Sequence, residues 1–348
     1  MAKMMAARLY GPLDLRLVET DVPEIGDGDV LLKVKSASVC GTDIRMYKNG
    51  YTGIDAEHPR TLCHEFSGVI EKAGACVEGF KEGDRVSLAP NIGCGICARC
   101  VRGDFHLCNS FTAFGINMDG AFAEYVKVPE KAVRQGNLQL LPDSVSFDEA
   151  AINEALSCAY NGSQMCNIRP GDTVLVVGAG PIGIMHVKLA LMAGAGKVFV
   201  NDLSEERLAA VKAMEPRAIT YHGDNLKEFI FANTYDGLDV CITACPVPSV
   251  QQMSLELMDY GGRINFFGGL PKNKENVEIK TNLIHYRQLI VTGSTRASIT
   301  HFRKTLGFIG DGLLNVKDLV TSTFELKDIH KAFEQAEKAI GLKNVIRM

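Results

Sequence analysis

The 348 residues of the chain are enough for about two domains of ordinary size. Hydrophobic residues make up 46% and charged residues 22%, values that argue against a disordered chain, a fibre and a membrane protein. The net charge of −4 provides no overall attraction for nucleic acid or an anionic membrane. Eleven cysteines, an odd number, are the feature of the composition that requires an explanation.

The termini and the apolar segments predict a cytoplasmic protein. Residues 1–17 lack the basic start and unbroken apolar run of a signal peptide. No segment reaches the ~18 apolar residues that a membrane span needs. Because disulfides are rare in a reducing cytosol, clustered cysteines indicate metal ligands and scattered cysteines indicate small buried side chains.

The first 150 residues predict a domain composed mostly of β-strands. Short β-prone runs alternate with glycine, proline and aspartate, which are typical of turns. The predicted strands are residues 30–39, 66–73, 85–90 and 121–128.

From residue 171 onward, apolar strands alternate with helical periods. This alternation predicts a parallel sheet with helices on both faces, a doubly wound α/β fold. The predicted strands are residues 172–177, 197–202, 238–243, 263–267 and an edge strand at 289–293, and the predicted helices are residues 182–193, 204–214 and 249–258.

A glycine motif at the first of these strand-to-helix turns predicts a dinucleotide site. Gly178 permits a tight turn, Gly180 lets the backbone approach a pyrophosphate, and Gly183 lets the helix pack on the strand. Asp202 lies 19 residues beyond Gly183, where a carboxylate favours the ribose hydroxyls of NAD over the 2′-phosphate of NADP. A structural glycine turn is the alternative. The predicted cofactor-binding residues are Gly178, Gly180, Pro181, Ile182, Gly183, Asp202 and Arg207.

Four cysteines with the spacing C-x2-C-x2-C-x7-C lie in a glycine-containing loop. Two-residue spacers allow successive thiolates to converge on one tetrahedral ion, and four thiolates leave no open position, so we predict a structural zinc site. An iron–sulfur cluster and free thiols are the alternatives, although the bacterial iron–sulfur spacing differs at the last gap and ends in proline. The ligands are Cys94, Cys97, Cys100 and Cys108.

Three further segments carry residues that can bind zinc. They are Cys40-Gly-Thr-Asp43, Cys63-His-Glu65 and the carboxylate of Glu154. None of them is convincing alone, because a single buried cysteine or histidine is more often part of a core.

Together with the glycine turn and the four cysteines, these segments resemble the zinc-dependent medium-chain alcohol dehydrogenase family, within its sorbitol and polyol branch. The resemblance runs nearly the full length and includes residues 83–86 and 120–125. It implies a GroES-like, mostly β catalytic domain and a Rossmann nucleotide-binding domain. We expect the former at 1–155 and 290–348, with a zinc lobe at 91–110, and the latter at 156–289.

The resemblance also implies a catalytic zinc held by Cys40 and His64. Glu65 and Glu154 would complete the site by direct, water-mediated or alternating contacts, whereas Cys158 is a weaker candidate for the third ligand. Thr42 would accept the alcohol proton into a relay, so the expected catalytic residues are Cys40, Thr42, His64, Glu65 and Glu154. Each chain would then carry one catalytic and one structural zinc and would use NAD.

Two residues depart from the family pattern, and three others are substrate candidates. Cys63 replaces a glycine, either as an ordinary buried thiol or as a change to the zinc pocket. Arg45 replaces a relay histidine and cannot act as a base at neutral pH. Arg296 matches a substrate-binding arginine of the polyol branch, while Tyr47 and Tyr51 either line the pocket or only pack against it.

The resulting hypothesis is an NAD- and zinc-dependent oxidation of a secondary alcohol of a polyol or sugar derivative. A threonine-type or polyol-phosphate dehydrogenase of the same family is the alternative, and a non-catalytic nucleotide-binding relative is a remote one. The resemblance further implies a homo-oligomer, a dimer or tetramer, with a seam near residues 289–293. No nucleic-acid or membrane partner is expected.

Overall fold

The computed structural model describes residues 2–348. The chain divides into two compact units. The β-rich unit comprises Met1–Ser157 and Ala297–Met348, and the parallel-sheet unit comprises Cys158–Arg296. None of the helices in residues 2–348 has the length and apolar character needed to cross a membrane.

The strands, in chain order, are β1 (Lys3–Leu9), β2 (Leu15–Asp21), β3 (Val30–Ser38), β4 (Arg60–Thr61), β5 (Phe66–Ala73), β6 (Arg85–Leu88), β7 (Asn91–Ile92), β8 (Thr112–Ala113), β9 (Tyr125–Val128), β10 (Leu138–Leu140), β11 (Thr173–Val177), β12 (Lys197–Asn201), β13 (Ile219–Tyr221), β14 (Leu238–Thr243), β15 (Met258–Phe266), β16 (Ile290–Gly293), β17 (Val320–Glu325) and β18 (Lys343–Arg347).

The α-helices are α1 (Gly41–Asn49), α2 (Ala98–Val101), α3 (Glu130–Gln135), α4 (Phe147–Ala151), α5 (Asn153–Cys166), α6 (Pro181–Met192), α7 (Glu205–Met214), α8 (Leu226–Asn233), α9 (Pro248–Ser254), α10 (Thr281–Arg287), α11 (Ile299–Gly310) and α12 (Ile329–Glu337). Short 3₁₀ turns cover Phe105–Leu107, Leu255–Leu257, Lys272–Lys274, Lys317–Leu319 and Leu326–Asp328.

The β-rich unit is built around β3, which pairs antiparallel with β5, β9 and β18. The resulting sheet has the strand order β10-β6-β5-β3-β18-β17, and a smaller sheet has the order β2-β1-β4. Its core contains the fully buried rings of Phe66 and Phe114, which meet edge to face at 5.5 Å, and the ring of Phe122. The pairing of β18 with β3 places the C-terminal strand beside the strand that leads into α1.

The parallel-sheet unit has six strands in the order β13-β12-β11-β14-β15-β16, all parallel. Strand β11 is a nearly continuous apolar run, as expected of a strand covered on both faces. The strand order reverses beside β11, and in such sheets ligands bind at the carboxyl ends of the strands at that point. The predicted doubly wound fold is therefore confirmed, with β16 at the edge.

Three element predictions are wrong in extent. Strand β15 begins at Met258 rather than at residue 263, and α9 ends at Ser254. The paired glycines Gly261 and Gly262 resemble a loop in the sequence, but they lie inside the strand, where its pairing with β14 is irregular. Of the predicted strand at residues 121–128, only Tyr125–Val128 forms a regular strand.

Candidate active site

The four cysteines of the lobe at residues 91–110 converge. Their sulfur atoms are 3.6 Å apart for Cys97 and Cys100, and 3.9 Å for both Cys94–Cys100 and Cys97–Cys108. Four sulfur atoms at about 2.3 Å from a central zinc ion form a tetrahedron with edges of about 3.8 Å. The lobe therefore has the dimensions of a closed zinc site.

The surroundings of the four cysteines shift the pKa values of two of their thiols in opposite directions. The N–H groups of Ile96 and Cys97 lower the pKa of the Cys94 thiol to about 6. Burial raises the pKa of Cys100 to about 12, so a bound metal would be needed to deprotonate that thiol near neutral pH. The segment expected to be a plain loop contains α2 and a 3₁₀ turn, which bring Cys100 and Cys108 inward.

A second cluster lies in the β-rich unit. One ligand atom each from Cys40, His64 and Glu65 lies within 4.8 Å of the other two. Cys40 lies between β3 and α1, whereas His64 and Glu65 lie in the link from β4 to β5. A thiol, an imidazole and a carboxylate form a donor set typical of a catalytic zinc. Among the described residues, this group and the four cysteines are the only sets of three or more histidine, cysteine, aspartate or glutamate side chains whose ligand atoms all lie within 4.8 Å of one another.

Asp43 organises the backbone around this cluster. Its carboxylate is fully buried and accepts hydrogen bonds from the Cys40 N–H at 2.9 Å and the Cys63 N–H at 3.2 Å. Its Oδ1 also lies 3.9 Å from the Nδ1 atom of His64. At this distance the carboxylate does not hydrogen-bond to the ring, and it acts on His64 through its negative charge.

The electrostatics of the cluster also favour a cation. Burial lowers the pKa of His64, but the negative charges of Cys40, Asp43 and Glu154 outweigh burial and raise that pKa well above its usual value. Surroundings that stabilise a proton on His64 would equally stabilise a divalent ion. Glu65 Oε1 is buried without a hydrogen-bond partner, as expected of an oxygen that faces a metal or its bound water.

Glu154 stands beside the cluster but is not one of its three close members. It lies in the first turn of α5, is 7% exposed, and is near enough for its charge to act on His64. Cys158, one turn further along α5, has no ligand atom within the described cluster. Glu154 is the candidate for an additional ligand because its charge acts on His64.

Lys343 is a residue that the sequence analysis did not consider. Its ammonium lies 2.5 Å from Glu65 Oε2, and the two side chains are 6% and 1% exposed. Burial lowers the pKa of Lys343, but the charges of Glu65, Cys40 and Glu154 outweigh burial and raise it. The two residues are 278 positions apart, so no local motif connects them.

Thr42 and Arg45 lie on α1, directly after Cys40. The guanidinium of Arg45 donates a hydrogen bond of 2.9 Å to the hydroxyl oxygen of Thr42. This bond engages one lone pair of the hydroxyl oxygen, and the second lone pair and the O–H stay available for a proton relay. Tyr47 packs edge to face on Phe333 at 5.5 Å, whereas Tyr51 is 43% exposed.

Cys63 adopts a left-handed backbone with φ +83° and is completely buried. Its thiol contacts the backbone oxygen atoms of Ser38 at 3.7 Å and Glu65 at 3.3 Å. Burial raises its pKa well above the usual value. A side chain added at Gly115 or Gly120 would collide with the Cys63 backbone, so these glycines hold the strained residue in place.

The glycine turn of the parallel-sheet unit links β11 to α6. Gly178 has φ +108°, and a Cβ atom at Gly183 would lie 1.8 Å from the Gly178 carbonyl oxygen, so only glycine fits there. A Cβ atom at Gly180 would meet nothing within 4 Å. Gly180 is the N-cap of α6 and Pro181 is its first residue. The N-terminus of the helix, which favours anionic groups, therefore faces open space at Gly180.

Asp202 follows β12 and faces this turn. Its carboxylate accepts hydrogen bonds from the Ala179 N–H at 2.6 Å and the Ser204 N–H at 2.8 Å. These bonds fix a negative charge beside the turn at the carboxyl end of β12. Ile182 lies in the first turn of α6, and Arg207 lies in the first turn of α7.

Arg296 is the last residue of the parallel-sheet unit and is exposed, with φ +56°. The buried amide of Asn161 donates to the Arg296 carbonyl oxygen at 2.9 Å and to the Thr295 carbonyl oxygen at 3.4 Å. A non-glycine residue in this backbone region stores strain that its surroundings must maintain.

Comparisons with known proteins identify the family. The model of the alcohol dehydrogenase GroES-like domain matches residues 26–138, and the model of the zinc-binding dehydrogenase matches residues 181–311. The chain is 33% identical over 337 residues to the sorbitol dehydrogenase of Bacillus subtilis (strain 168), which covers 96% of this chain and 93% of the relative. It is 32% identical to the L-threonine 3-dehydrogenase of Idiomarina loihiensis, with 94% of each chain covered.

Solved structures agree with this family at the level of the fold. A protein described as a zinc-binding dehydrogenase of Sinorhizobium meliloti, bound to NADP, gives a TM-score of 0.91 at 29% identity and covers 100% of both chains. An alcohol dehydrogenase of Escherichia coli CFT073, complexed with NADH, gives a TM-score of 0.89 at 29% identity and covers 99% of both chains.

The chain belongs to the zinc-dependent medium-chain alcohol dehydrogenase family, in its polyol branch. It is therefore an oxidoreductase whose family uses zinc and a nicotinamide cofactor. The predicted family, the predicted combination of a GroES-like and a Rossmann domain, and the prediction of a dehydrogenase are confirmed.

Proposed function

We propose that this protein uses NAD to oxidise a secondary alcohol of a polyol or sugar derivative to the ketone, with zinc in the Cys40–His64–Glu65 cluster. The observation that carries the proposal is the convergence of three different zinc-binding side chains within 4.8 Å. Their negative surroundings and the unpartnered Oε1 of Glu65 support a cation at this point.

Cys40, His64 and Glu65 would hold the catalytic zinc, with Glu154 beside them as a further ligand, directly or through water. When bound there, zinc supplies Lewis-acid activation of an alcohol oxygen. The buried carboxylate of Asp43, 3.9 Å from His64 Nδ1, favours a positive charge at the cluster. Thr42 would move the alcohol proton, and the Arg45 hydrogen bond to its oxygen would stabilise the hydroxyl as it releases that proton. Cys94, Cys97, Cys100 and Cys108 would hold a second, structural zinc.

NAD is the proposed cofactor because of Asp202. A fixed carboxylate at the end of the second strand attracts ribose hydroxyls and repels a 2′-phosphate. Gly178, Gly180, Pro181, Ile182, Gly183 and Arg207 would complete the nucleotide site. Among the similar structures, one is bound to NADP and one to NADH, so their cofactors do not decide between the two.

Arg296 is the proposed substrate-recognition residue, with Tyr47 and Tyr51 as weaker candidates. An exposed guanidinium favours a substrate rich in hydroxyl groups or one that carries an anionic group. Threonine, with a secondary alcohol and a carboxylate, fits the same description. The nearly equal identities to a sorbitol and a threonine dehydrogenase make threonine the second candidate.

The decisive experiment is a substrate panel of polyols, inositols, polyol phosphates and threonine, each tested with NAD and with NADP by absorbance of the reduced cofactor. We expect turnover of a polyol or sugar derivative with NAD. Turnover of threonine alone would favour the second candidate, and a preference for NADP would contradict the cofactor assignment.

A pair of histidine variants tests the proposed zinc site at Cys40, His64 and Glu65. His64→Ala should abolish turnover while NADH binding, measured by fluorescence, persists. The matched control is His58→Ala, which changes an exposed histidine on the same segment. Turnover retained by His64→Ala would refute the proposed function.

A cytoplasmic location and a dimeric or tetrameric assembly stay predictions. Analytical sedimentation tests the oligomeric state.

A further inference from the structure

Cys63 combines a backbone conformation that suits glycine with a completely buried side chain. Residues that carry a Cβ atom rarely adopt a φ of +83°, whereas glycine adopts it readily. The cysteine therefore costs free energy that a glycine would not cost at this position. Strain of this kind persists only where the surrounding structure maintains it, and it often marks a functional site.

The backbone of Cys63 is held from two sides. Its N–H donates to Asp43 Oδ1 at 3.2 Å, and the Cys40 N–H donates to Oδ2 of the same carboxylate at 2.9 Å. Its carbonyl oxygen accepts a hydrogen bond of 3.2 Å from the Ala121 N–H. A Cβ atom at Gly120 would lie 2.0 Å from that carbonyl oxygen, so the neighbouring turn packs directly against the residue.

The thiol of Cys63 contacts both segments that carry the metal-binding side chains. Its Sγ atom lies 3.7 Å from the Ser38 carbonyl oxygen and 3.3 Å from the Glu65 carbonyl oxygen. Ser38 is the last residue of β3, just before Cys40, and its N–H donates to the same Glu65 oxygen at 2.8 Å. The thiol thus reinforces a direct bond between the segment that leads to Cys40 and the segment that carries His64 and Glu65.

We propose that Cys63 is a positioning residue that holds His64 and Glu65 at the separation from Cys40 that zinc binding requires. This inference rests on the proposed function. Cys63 is not itself a ligand in it, because the group whose ligand atoms lie within 4.8 Å of one another does not include its sulfur. Groups behind a metal ligand fix the orientation of that ligand, and their loss typically costs about 10–100-fold in metal affinity.

A space-filling role for the thiol makes a different prediction. Removal of Sγ would then lower the stability of the protein, as it would at any buried cysteine, and would leave the metal site unchanged. In the positioning role, the same removal also loosens the two segments, so the cluster binds zinc less firmly. Zinc affinity therefore separates the two roles, whereas stability does not.

The test is Cys63→Ala in the full-length zinc enzyme, which removes Sγ and keeps the Cβ atom. We expect the dissociation constant of the zinc ion in the Cys40–His64–Glu65 cluster, measured by competition with a chromogenic chelator, to rise about tenfold or more. The visible spectrum of the enzyme with cobalt in this cluster should shift, and the turnover number should fall more than KM changes. An unchanged zinc affinity would overturn the inference.

Two further variants keep the test informative if Cys63→Ala folds poorly. Cys63→Ser retains a hydrogen-bond donor beside the two carbonyl oxygens and should keep zinc affinity near that of the wild type. Cys63→Gly removes the backbone strain together with the thiol, and it should weaken zinc binding even though glycine suits the backbone. Zinc binding by Cys63→Gly as firm as that of the wild type would contradict the positioning role.

Cys241→Ala is the matched control. Cys241 is also a completely buried cysteine, but it lies in β14 of the parallel-sheet unit. Its replacement should lower stability without changing zinc affinity. If the wild-type enzyme holds zinc only in the four-cysteine lobe, the proposed function itself fails. If it holds both ions and Cys63→Ala does not weaken the second, only the positioning role fails.

Discussion

Lowering the pH from 7 to 5 is expected to destabilise the parallel-sheet unit through His186. This side chain lies in the middle of α6, the helix that begins at the glycine turn, and it is completely buried. Its Nδ1 atom lies 3.2 Å from the Ser163 hydroxyl, its Nε2 atom has no partner, and its ring packs edge to face on Phe267 at 4.8 Å. Burial lowers its pKa to about 3.

The direction and size of the effect follow from linkage. An unfolded chain binds a proton at His186 below about pH 6.5, whereas the folded chain does not until about pH 3, so acid favours unfolding across that interval. At pH 5 the free energy of unfolding should be about 2 kcal/mol lower on this account, and at pH 7 only about 0.2 kcal/mol lower.

The assay is urea unfolding at pH 7, 6 and 5, followed by circular dichroism, for the wild type and His186→Asn. Acid release of metal affects both proteins, so the difference between them isolates the histidine. The wild type should lose about 2 kcal/mol more than the variant between pH 7 and pH 5. The matched control is the same substitution at His330, which is exposed. A difference between wild type and His186→Asn below about 0.5 kcal/mol would refute the reasoning.

Three further changes test the nucleotide turn and the lobe. Asp202→Ser should weaken NADH binding and strengthen NADPH binding, each about tenfold, in a fluorescence titration, because it removes a negative charge that would repel a 2′-phosphate; unchanged relative affinities would contradict the assigned role. Gly183→Ala should cost more than about 2 kcal/mol of stability, because the new methyl would lie 1.8 Å from the Gly178 carbonyl oxygen. The control is Gly307→Ala in α11, where a methyl meets nothing and should stabilise the helix. Cys100→Ser should lower the zinc content from two ions to one and the melting temperature with it, yet leave measurable turnover at low temperature; loss of both ions would show that the two sites are coupled.

The parts of this protein that sequence reasoning predicted well are those with local signals. The run Thr173–Val177 is apolar because both faces of β11 are covered, and the glycines that follow it satisfy steric demands within a few residues. The first and last cysteines of the lobe, Cys94 and Cys108, are only 14 positions apart, so their spacing alone constrains the geometry.

Features that depend on tertiary packing were harder to foresee. Strand β15 continues through Gly261 and Gly262 because β14 pairs with Met258 before them and with Arg263 after them, and a single sequence does not reveal this pairing. The Cys40–His64–Glu65 cluster required the family pattern. Hydrogen bonds from the Ser38 N–H to the Glu65 carbonyl oxygen and from the Cys63 N–H to Asp43 bring together segments that are distant in the sequence.

Lys343 shows most clearly which kind of feature the sequence alone does not predict. Its neighbours Leu342 and Asn344 resemble those of an ordinary terminal strand, and nothing local distinguishes it from a surface lysine. Only the pairing of β18 with β3 brings it to Glu65, 278 residues earlier. The position of a buried ammonium beside metal-binding side chains is a property of the folded chain. It depends on which charged groups the fold brings together in a region from which water is excluded. Motifs identify the atoms that bind a metal, whereas the charges that determine how firmly each atom binds come from segments that are distant in the sequence.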